Sequence, residues 1–412
     1  MKIERLTIRN YRAIEHISVE CTPNINIIYG ENGVGKSSIL YMLHDFLVWQ
    51  EACTRQGEGA GGGPMSGTVS GSMSGPAAST AARRTLFAPA KIRDARLPSE
   101  LIFNEGLPGC TRVCWHPEDG RVTCEGQLDL RRVSFIPTLL HARCLQDWTS
   151  DAESADILDR MQSLALRGIA DFRTVRACFM DLLREEEIHR ARGQGEYRHP
   201  ALQKVREVLC RINPALSSLA LKREDGREVL AVEREGRLLS IEEQLSSGEA
   251  GFLGMVVEIC LAAFAEDTSG RDILVLIDEL ETSLHPGWQM KMAPLLKESF
   301  PDIQFIITSH SPFIWAGLDK REVLWLVRDG EGRVVRREVP FARGGSVEAI
   351  IARFFTEELY DEAFVRELHA VEEAIEQKDR ERALSLMEAM HTRYGEIPAL
   401  SLLQFRMRML GL

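Results

Sequence analysis

The apolar residues of this chain form two kinds of pattern, continuous runs and periodic stripes. Three short runs are mainly apolar and rich in β-branched residues: INIIY from Ile25, ILVLI from Ile273 and the start of IQFIITSH from Ile303. Such runs are typical of strands that a parallel sheet buries on both faces. The segment after the first run, SSILYMLHDFLVW, has helical spacing. This order predicts an α/β fold.

Amphipathic stripes occupy two other stretches. Most of residues 151–215 have a stripe that predicts one or two helices, and the residues after 343 predict several short helices. Between them, LALKREDGREVLAVEREGRLLS predicts a strand hairpin. Residues 56–82 are rich in Gly, Ser and Ala and predict a flexible loop, because they bury too little apolar surface to become ordered. A neutral insertion is favoured for this loop over a regulatory one.

A glycine-rich segment with a lysine follows the first predicted strand. GENGVGKSS fits the phosphate-loop pattern G-x-x-x-x-G-K-[ST], beginning at Gly30. A strand-to-helix turn of this kind aims backbone N–H groups and the positive end of a helix at phosphates. We expect the lysine to reach the β- and γ-phosphates of ATP and the first serine to ligate Mg²⁺. The predicted nucleotide-binding residues here are Asn32, Gly33, Gly35, Lys36, Ser37 and Ser38.

Polar side chains follow the second and third apolar runs. Asp278 and Glu279 come directly after ILVLI, and His310 follows IQFIITS. Buried carboxylates without a partner are costly, so an acid pair beside a core indicates chemistry. We expect Asp278 to hold Mg²⁺ and Glu279 to deprotonate an attacking water. The carboxyl ends of parallel strands border the ligand crevice, which favours the same site for His310 over a core position.

The segment LSSGE, from Leu245 to Glu249, precedes the apolar pattern GFLGMVVEICLAAFA. We expect Ser246, Ser247 and Gly248 to precede a long helix and to form an anion-binding N-terminus. By itself such a segment is an ordinary helix cap. Between a phosphate loop and an acid-terminated strand, it is similar to the signature motif of ATP-binding-cassette (ABC) ATPases.

The ordered motifs resemble the soluble ABC ATPases of the RecF and OLD type. The opening IERLTIRNYRAIEHISVE is similar to the first strand pair of that group, and Arg12 matches an arginine that approaches the nucleotide. DELETSLHPGWQ is similar to its Walker B motif and D-loop, and TSHSPF to its switch-histidine strand. The resemblance implies an ABC-type P-loop ATPase head with a small β region, an inserted helical lobe and an all-helical C-terminal tail.

The same resemblance implies roles for individual residues. Glu279 is the general base, and His310 senses the γ-phosphate. Ser246 and Gly248 complete the ATP site of a partner copy. The Q-loop glutamine of the family has no clear counterpart, so Gln146 is the chosen third metal residue, and Gln127 remains the alternative.

Pattern and resemblance together divide the chain into six segments. These are the N-terminal half of the head (1–55), the flexible loop (56–82), the β region of the head (83–150), the helical insertion (151–215), the C-terminal half of the head (216–342) and a helical oligomerisation or partner-docking tail (343–412).

Composition and charge predict the cellular compartment and exclude some kinds of binding partner. The net charge is −11 and the sequence pI is about 5.5, which argues against a surface that clamps DNA as a whole. The absence of a long apolar run predicts a cytoplasmic protein that does not enter the membrane. Local basic patches are the expected route to any nucleic acid, although ordinary solvated faces are favoured for both clusters. The clusters are Arg83, Arg84, Lys91, Arg93 and Arg96, and then Arg167, Arg173 and Arg176.

Nine cysteines are too few for a secreted disulfide scaffold and are consistent with a reducing cytosol. Four residues of metal-ligand type lie in GCTRVCWHPEDGRVTCEG, where the PEDG turn predicts a β-hairpin. Their spacing matches no common zinc site, so free thiols on paired strands are favoured. The four residues are Cys110, Cys114, His116 and Cys124.

The function predicted from these features is an ATPase subunit of an anti-phage defence system, resembling the Septu, retron-associated and PARIS ATPases. The resemblance implies head-to-tail homo-oligomers formed through composite ATP sites, and a separately encoded effector such as a nuclease. Two alternatives stay open. One is a RecF-like repair ATPase that binds DNA ends or gaps, and the other is a stand-alone toxic nuclease. A transporter ATPase is a further, less favoured interpretation.

Overall fold

The computed structural model describes two separate units, Met1–Gly345 and Ser346–Leu412. Described are residues 2–44, 46, 93–94, 96–118, 122–126, 132–136, 172–193, 197–214, 216–224, 226–241, 245–264, 273–282, 284–315, 317–339, 362–395, 397, 400, 403–404 and 406–407. The predictions for the 56–82 loop, Gln127, Gln146, Arg83, Arg84, Lys91 and Arg167 lie outside these residues.

The described strands of the first unit form three sheets, with orders β2-β1-β4-β5-β6, β10-β9-β8 and β14-β13-β3-β12-β11-β7. In chain order the strands are β1 (Arg5–Tyr11), β2 (Ile14–Glu20), β3 (Ile25–Gly30), β4 (Ser99–Phe103), β5 (Thr111–Trp115), β6 (Val122–Glu125), β7 (Arg132–Ile136), β8 (Leu216–Glu224), β9 (Arg227–Arg234), β10 (Arg237–Ser240), β11 (Ile273–Ile277), β12 (Ile303–Ser309), β13 (Val323–Arg328) and β14 (Val334–Arg337).

Helices cover the sheets of the first unit and build the second. In chain order the described helices are α1 (residues 36–44), α2 (Phe172–Ala191), α3 (Pro200–Ile212), α4 (Ser247–Phe264), α5 (Pro286–Ser299), α6 (Glu362–Glu376) and α7 (Arg380–Tyr394). None of the helices in the described ranges is long and apolar enough to cross a membrane.

The three apolar runs form β3, β11 and β12, as predicted, and every residue of these strands is buried. The strands run parallel, and Ile307 of β12 is in register with both Ile277 of β11 and Ile27 of β3. Their carboxyl ends therefore lie side by side at one edge of the sheet. That edge carries Gly30 on one side and Asp278 on the other, with His310 after the strand between them.

Helix α1 lies between the parallel sheet and the antiparallel β2-β1-β4-β5-β6 sheet. One buried cluster joins Leu40 and Leu43 of α1 to Leu101 of the antiparallel sheet and to Ile306 of the parallel one. Burying a side chain of this size contributes about 1.5–3 kcal/mol, so the helix after the phosphate loop is fixed from both sides. This packing gives the phosphate loop a rigid support.

The segment before the signature forms a lobe of helices and strands. Strands β8, β9 and β10 form an antiparallel sheet of two hairpins instead of the single predicted one. Helix α4 follows this sheet and begins at Ser247, so Gly248 lies in its first turn. The expectation that Ser247 and Gly248 precede the helix was wrong, because Ser246 is the residue that caps it.

The second unit has its own small core. Helices α6 and α7 pack through Val371, Ile375 and Met387, and Leu400 and Leu403 join the same cluster. The role of this tail in oligomerisation or docking stays a prediction.

Candidate nucleotide-binding site

The phosphate loop requires glycine at three positions. At Gly30, a Cβ atom would lie 2.5 Å from the backbone oxygen of Leu326 on β13. Gly33 and Gly35 have φ values of +77° and +106°, a backbone region that side chains disfavour. The loop then enters α1 at residue 36. Its helix N-terminus and exposed amides can accept an anion.

Lys36 is buried at the mouth of this loop. Its Nζ atom donates to the carbonyl oxygens of Gly30 and Glu31, at 2.8 Å each. Burial lowers the pKa of Lys36, and the charges of Glu281, Glu279, Asp278 and Glu31 oppose that shift. An ammonium held by two carbonyl oxygens in this way can exchange them for phosphate oxygens without moving far.

A chain of hydroxyl and carboxylate groups connects α1 to the ends of β11 and β12. The Ser37 hydroxyl donates to Asp278 Oδ1 at 2.9 Å, and the Thr308 hydroxyl donates to the same oxygen at 2.6 Å. The Thr308 oxygen also accepts the backbone N–H of Glu279 at 2.9 Å. Thr308 thus fixes both members of the acid pair, although it was not among the predicted site residues.

Glu279 has an unusual backbone conformation. Its φ is +53°, in the left-handed region that a residue other than glycine seldom adopts. Conformations of this kind cost on the order of 1–3 kcal/mol and cluster at functional sites. The bond from Glu279 N to Thr308 helps to hold the turn, and Asp278 N continues the ladder to Ile136 O at 3.0 Å.

His310 lies at the same sheet edge and pairs with a carboxylate that the sequence analysis did not select. Its Nδ1 atom is 2.9 Å from Oε1 of Glu281, which is buried in the turn after β11. The hydrogen bond to Glu281 raises the pKa of His310 against the effect of burial. The charges of Glu279 and Lys36 also act on His310, which places the imidazole among the predicted site residues.

Two arginines approach the loop from outside. Arg12, in the turn between β1 and β2, donates from Nη1 to Ser38 Oγ at 3.2 Å. Arg328, at the end of β13, donates from Nη2 to the carbonyl oxygen of Gly33 at 2.8 Å. Arg12 was predicted, whereas Arg328 was not. Asn32 and Gly33 are exposed at the rim.

The polar groups of the signature segment form hydrogen bonds with residues that lie beside it. The backbone N–H and hydroxyl of Ser246 bond to Glu249 Oε2 at 3.1 and 3.0 Å, and the Ser246 oxygen accepts the Glu249 N–H at 3.3 Å. This reciprocal arrangement is a capping box. Arg234 of β9 pairs with the other oxygen of Glu249. Ser246 is exposed, and in the described part of the chain it makes no hydrogen bond to the phosphate loop.

The remaining candidate residues lie apart from this site. The predicted hairpin is present as β5 and β6, where the His116 ring bonds to Thr123 Oγ1 at 2.9 Å. Among the described residues, Cys110, Cys114 and Cys124 form no disulfide. Within the described ranges, no group of three metal-ligating side chains is arranged to hold a metal ion.

Two of the basic residues named from the sequence pair with acids at the surface. Arg93 is 3.6 Å from Glu15, and Arg96 is 3.3 Å from Asp94. Arg176 is buried in α2, so it belongs neither to a basic patch nor to a solvated face. Arg173 lies on α2 as well.

Comparisons with known protein families agree with this geometry. A family model described as "AAA ATPase domain" matches residues 1–52. A second, described as "AAA domain, putative AbiEii toxin, Type IV TA system", matches residues 181–316. The first match contains the phosphate loop, and the second contains the signature, acid and histidine segments. Both segments of the candidate site therefore lie in regions that are similar to AAA ATPase domains.

Curated relatives match only part of this chain. "Retron Ec83 probable ATPase" from Escherichia coli is 33% identical over 135 residues, which are 32% of this chain and 24% of that protein. "Septu protein PtuA" from Bacillus mycoides (strain KBAB4) is 34% identical over 125 residues, 29% of this chain and 17% of that protein. The chain therefore matches about a quarter or less of the length of these two relatives.

A solved structure described as the SmcHead bound to the C-winged helix domain of ScpA is 17% identical, with a TM-score of 0.46. The alignment covers 82% of this chain and 98% of that chain.

The candidate site has donors that fit a magnesium ion. Mg²⁺ prefers oxygen ligands, usually one or two carboxylates together with phosphates and water. Ser37 Oγ and Asp278 Oδ1 lie 2.9 Å apart at the end of the phosphate loop. These two side chains are the residues that would hold the ion.

Proposed function

We propose that this chain is a Mg²⁺-dependent ATP hydrolase whose ATP site is completed by a second copy. The bond between Ser37 and Asp278 carries the proposal. It joins the phosphate loop to the acid pair across 241 residues of sequence. A phosphate loop alone would support nucleotide binding, but an acid pair held against it supports hydrolysis as well.

Each residue of the site has a definite task in this proposal. Lys36 exchanges its bonds to Gly30 and Glu31 for bonds to the β- and γ-phosphates. Ser37 and Asp278 hold Mg²⁺, which neutralises charge on the phosphates when bound. Glu279 accepts a proton from the attacking water, and the hydrogen bond from its N–H to Thr308 fixes the turn from which its side chain projects.

The signature supports a composite site. Ser246 is exposed at the start of α4, so an external anion can reach its hydroxyl, which would exchange its bond to Glu249 for one to the anion. We infer that the signature of one copy covers the nucleotide of the other. The two copies close over bound ATP and open when the γ-phosphate is lost. The interface between them therefore switches between two states.

We further propose that this switch operates in bacterial anti-phage defence and controls a separately encoded effector. The partial matches to a retron ATPase and to Septu protein PtuA support this assignment. The effector is expected to be a protein, because opening and closing of the interface between the copies changes the shape of the surface that a partner contacts.

The deciding experiment measures mass in solution and ATP turnover for three chains, wild type, Lys36→Ala and Glu279→Gln. Glu279→Gln should retain ATP, lose turnover and shift to a larger mass with Mg-ATP. Lys36→Ala should lose both binding and the mass shift. Glu298→Gln, an exposed position on α5, is the matched control and should behave as wild type.

The outcomes separate the parts of the proposal. Absence of ATP turnover in the wild-type chain would refute the hydrolase. A mass that ignores nucleotide in Glu279→Gln would refute the composite site alone. The defence role is tested by infecting cells that carry the chain with its genomic neighbours, where Glu279→Gln should lose protection against phage.

A further inference from the structure

Glu281 is a buried carboxylate at the edge of the candidate site. It lies in the turn after β11, and its side chain is 4% exposed. One of its oxygens, Oε1, accepts three hydrogen bonds: from His310 N at 2.5 Å, from Ser311 N at 3.1 Å and from His310 Nδ1 at 2.9 Å. A single oxygen therefore holds both the backbone and the ring of His310.

The pairing decides which nitrogen of the ring stays available. A carboxylate only accepts hydrogen bonds, so Nδ1 of His310 must carry a proton. The other ring nitrogen, Nε2, makes no hydrogen bond within the described part of the chain. An imidazole held through Nδ1 presents Nε2 as its working atom, as in other sites where a carboxylate orients a histidine.

Capping of the backbone does not by itself explain a charge at position 281. A neutral oxygen would satisfy the two N–H groups, whereas burying an ionised carboxylate is costly. The second oxygen, Oε2, is buried without a hydrogen-bond partner among the described residues, which adds to that cost. The arrangement is therefore better explained by the charge and its effect on the ring.

The electrostatics of the pair are consistent with that explanation. Burial raises the pKa of Glu281, but the hydrogen bonds from the His310 ring and backbone outweigh it and hold the pKa below its usual range. The bond from Glu281 raises the pKa of His310, burial opposes this, and the charges of Glu281 and Glu279 add to it. Lys36 acts in the opposite direction on His310.

We propose that Glu281 is a positioning residue that fixes His310 as an imidazolium, with Nε2 directed to the γ-phosphate of bound ATP. The inference rests on the proposed ATPase function and adds a residue to its site. Glu281 acts through His310 and touches no reacting atom. The positively charged ring of His310 then stabilises the negative charge on the γ-phosphate during hydrolysis.

The test compares Glu281→Gln with wild type in two measurements. The first is the titration of the His310 ring by NMR, assigned with a His310→Ala variant. Glutamine keeps the size and one oxygen for the backbone N–H groups but removes the charge. The pKa of His310 should fall toward its ordinary value in Glu281→Gln.

The second measurement is the pH dependence of kcat for ATP. In Glu281→Gln, kcat should fall about tenfold or more at pH 8 and recover toward wild type near pH 6, where the ring is protonated without help. In the His310→Ala background, Glu281→Gln should have no further effect. Glu322→Gln removes another buried carboxylate, the partner of Lys297, and should leave the profile unchanged.

The two measurements separate this inference from the proposed function. An unchanged pKa of His310 in Glu281→Gln would overturn the inference, and so would an additive loss in the His310→Ala background. If the wild-type chain does not hydrolyse ATP, the proposed function fails, and the titration of His310 still decides the pairing. Equal melting temperatures of the variants exclude misfolding as the cause.

Discussion

The two halves of the candidate ATP site are built differently. The phosphate-loop half is connected internally, because Ser37, Asp278 and Thr308 share hydrogen bonds across three separate segments of the chain. The signature half is closed on itself, since Ser246 bonds to Glu249, and Glu249 to Arg234. The hydrogen bonds of the first half fix Ser37, Asp278 and Thr308 relative to one another, whereas the bonds of the second half stay within the signature and the neighbouring strand β9. The cap of the signature helix therefore forms without the phosphate loop, whereas the acid pair is held by a contact to that loop.

The largest expected effect comes from a negative charge on the signature surface. Ser246→Asp adds such a charge, and it also replaces the hydroxyl that donates to Glu249 Oε2 at 3.0 Å. Its carboxylate should repel the γ-phosphate of a nucleotide held by a partner copy. ATP turnover is expected to fall about 100-fold or more, well beyond the loss in Ser246→Ala, which breaks the same bond to Glu249 without adding a charge.

Mixing two inactive variants tests whether the signature acts on the other copy. A dimer of Ser246→Asp with Lys36→Ala contains one site with both defects and one intact site. Random mixing should restore about a quarter of wild-type turnover, because half of the symmetric dimers are mixed. No recovery on mixing would mean that both motifs serve the same chain's nucleotide. Ser246→Thr is the conservative control and should remain active.

A second, smaller effect is expected within the connected half. Thr308→Val is close to isosteric and removes the hydroxyl that holds both Asp278 and Glu279. Turnover should fall about tenfold, since both acids keep their chemistry but lose their orientation. Steady-state kinetics should show the loss in kcat more than in KM. Thr308→Ser restores the hydroxyl and should recover most of the rate, and a failure to recover would contradict the positioning role.

The strands that end at the candidate site were predicted correctly, because all three are apolar runs of the kind that a parallel sheet buries on both faces. Continuous apolar runs became β3, β11 and β12, and parallel register brings the residues that follow them to one edge. Lys36, Asp278 and His310 could therefore be grouped from the phosphate-loop pattern together with the order of the apolar runs. The start of α4 was predicted too late, after Gly248, although the capping-box spacing of Ser246 and Glu249 is consistent with its start at Ser247.

The residues that the sequence did not reveal depend on contacts between distant segments. Thr308 is 30 residues from Asp278, and Arg328 is 295 residues from Gly33. Glu281 looked like one acid among several after β11, and only the order of the sheet places it beside His310. The role of such a hydroxyl or charge depends on residues of neighbouring strands. The spacing of residues along the chain does not show which strands are neighbours.

A third prediction concerns the outer wall of the phosphate loop. Arg328→Ala removes the guanidinium that holds the Gly33 carbonyl oxygen and that of Gly332, at 2.8 and 2.9 Å. The loop should then be less well ordered before ATP binds. KM for ATP should rise about threefold, with kcat nearly unchanged, because Arg328 is exposed and lies away from the acids. Arg333→Ala, which loses only the pairs to Asp329 and Glu331, is the control.

The smallest effect is on stability, and it depends on pH in a definite direction. The raised pKa of His310 gives stabilisation that is complete below the usual histidine pKa and is lost as pH rises through the raised value. The lowered pKa of Glu281 gives stabilisation that is present above the usual glutamate pKa and is lost as pH falls through the lowered value. The pair should therefore stabilise the fold most between pH 4.5 and 6.5, the usual pKa values of the two groups.

Urea unfolding of wild type and Glu281→Gln across this range measures the contribution of the pair. The difference in free energy of unfolding should be largest near pH 6 and should shrink steadily toward pH 9. For Glu322→Gln the difference should stay level between pH 6 and 8, because the lost partner is a lysine and not a histidine. A level difference for Glu281→Gln would instead mean that the carboxylate only caps the backbone. The phosphate-loop half would then owe its connection to Ser37 and Thr308 alone.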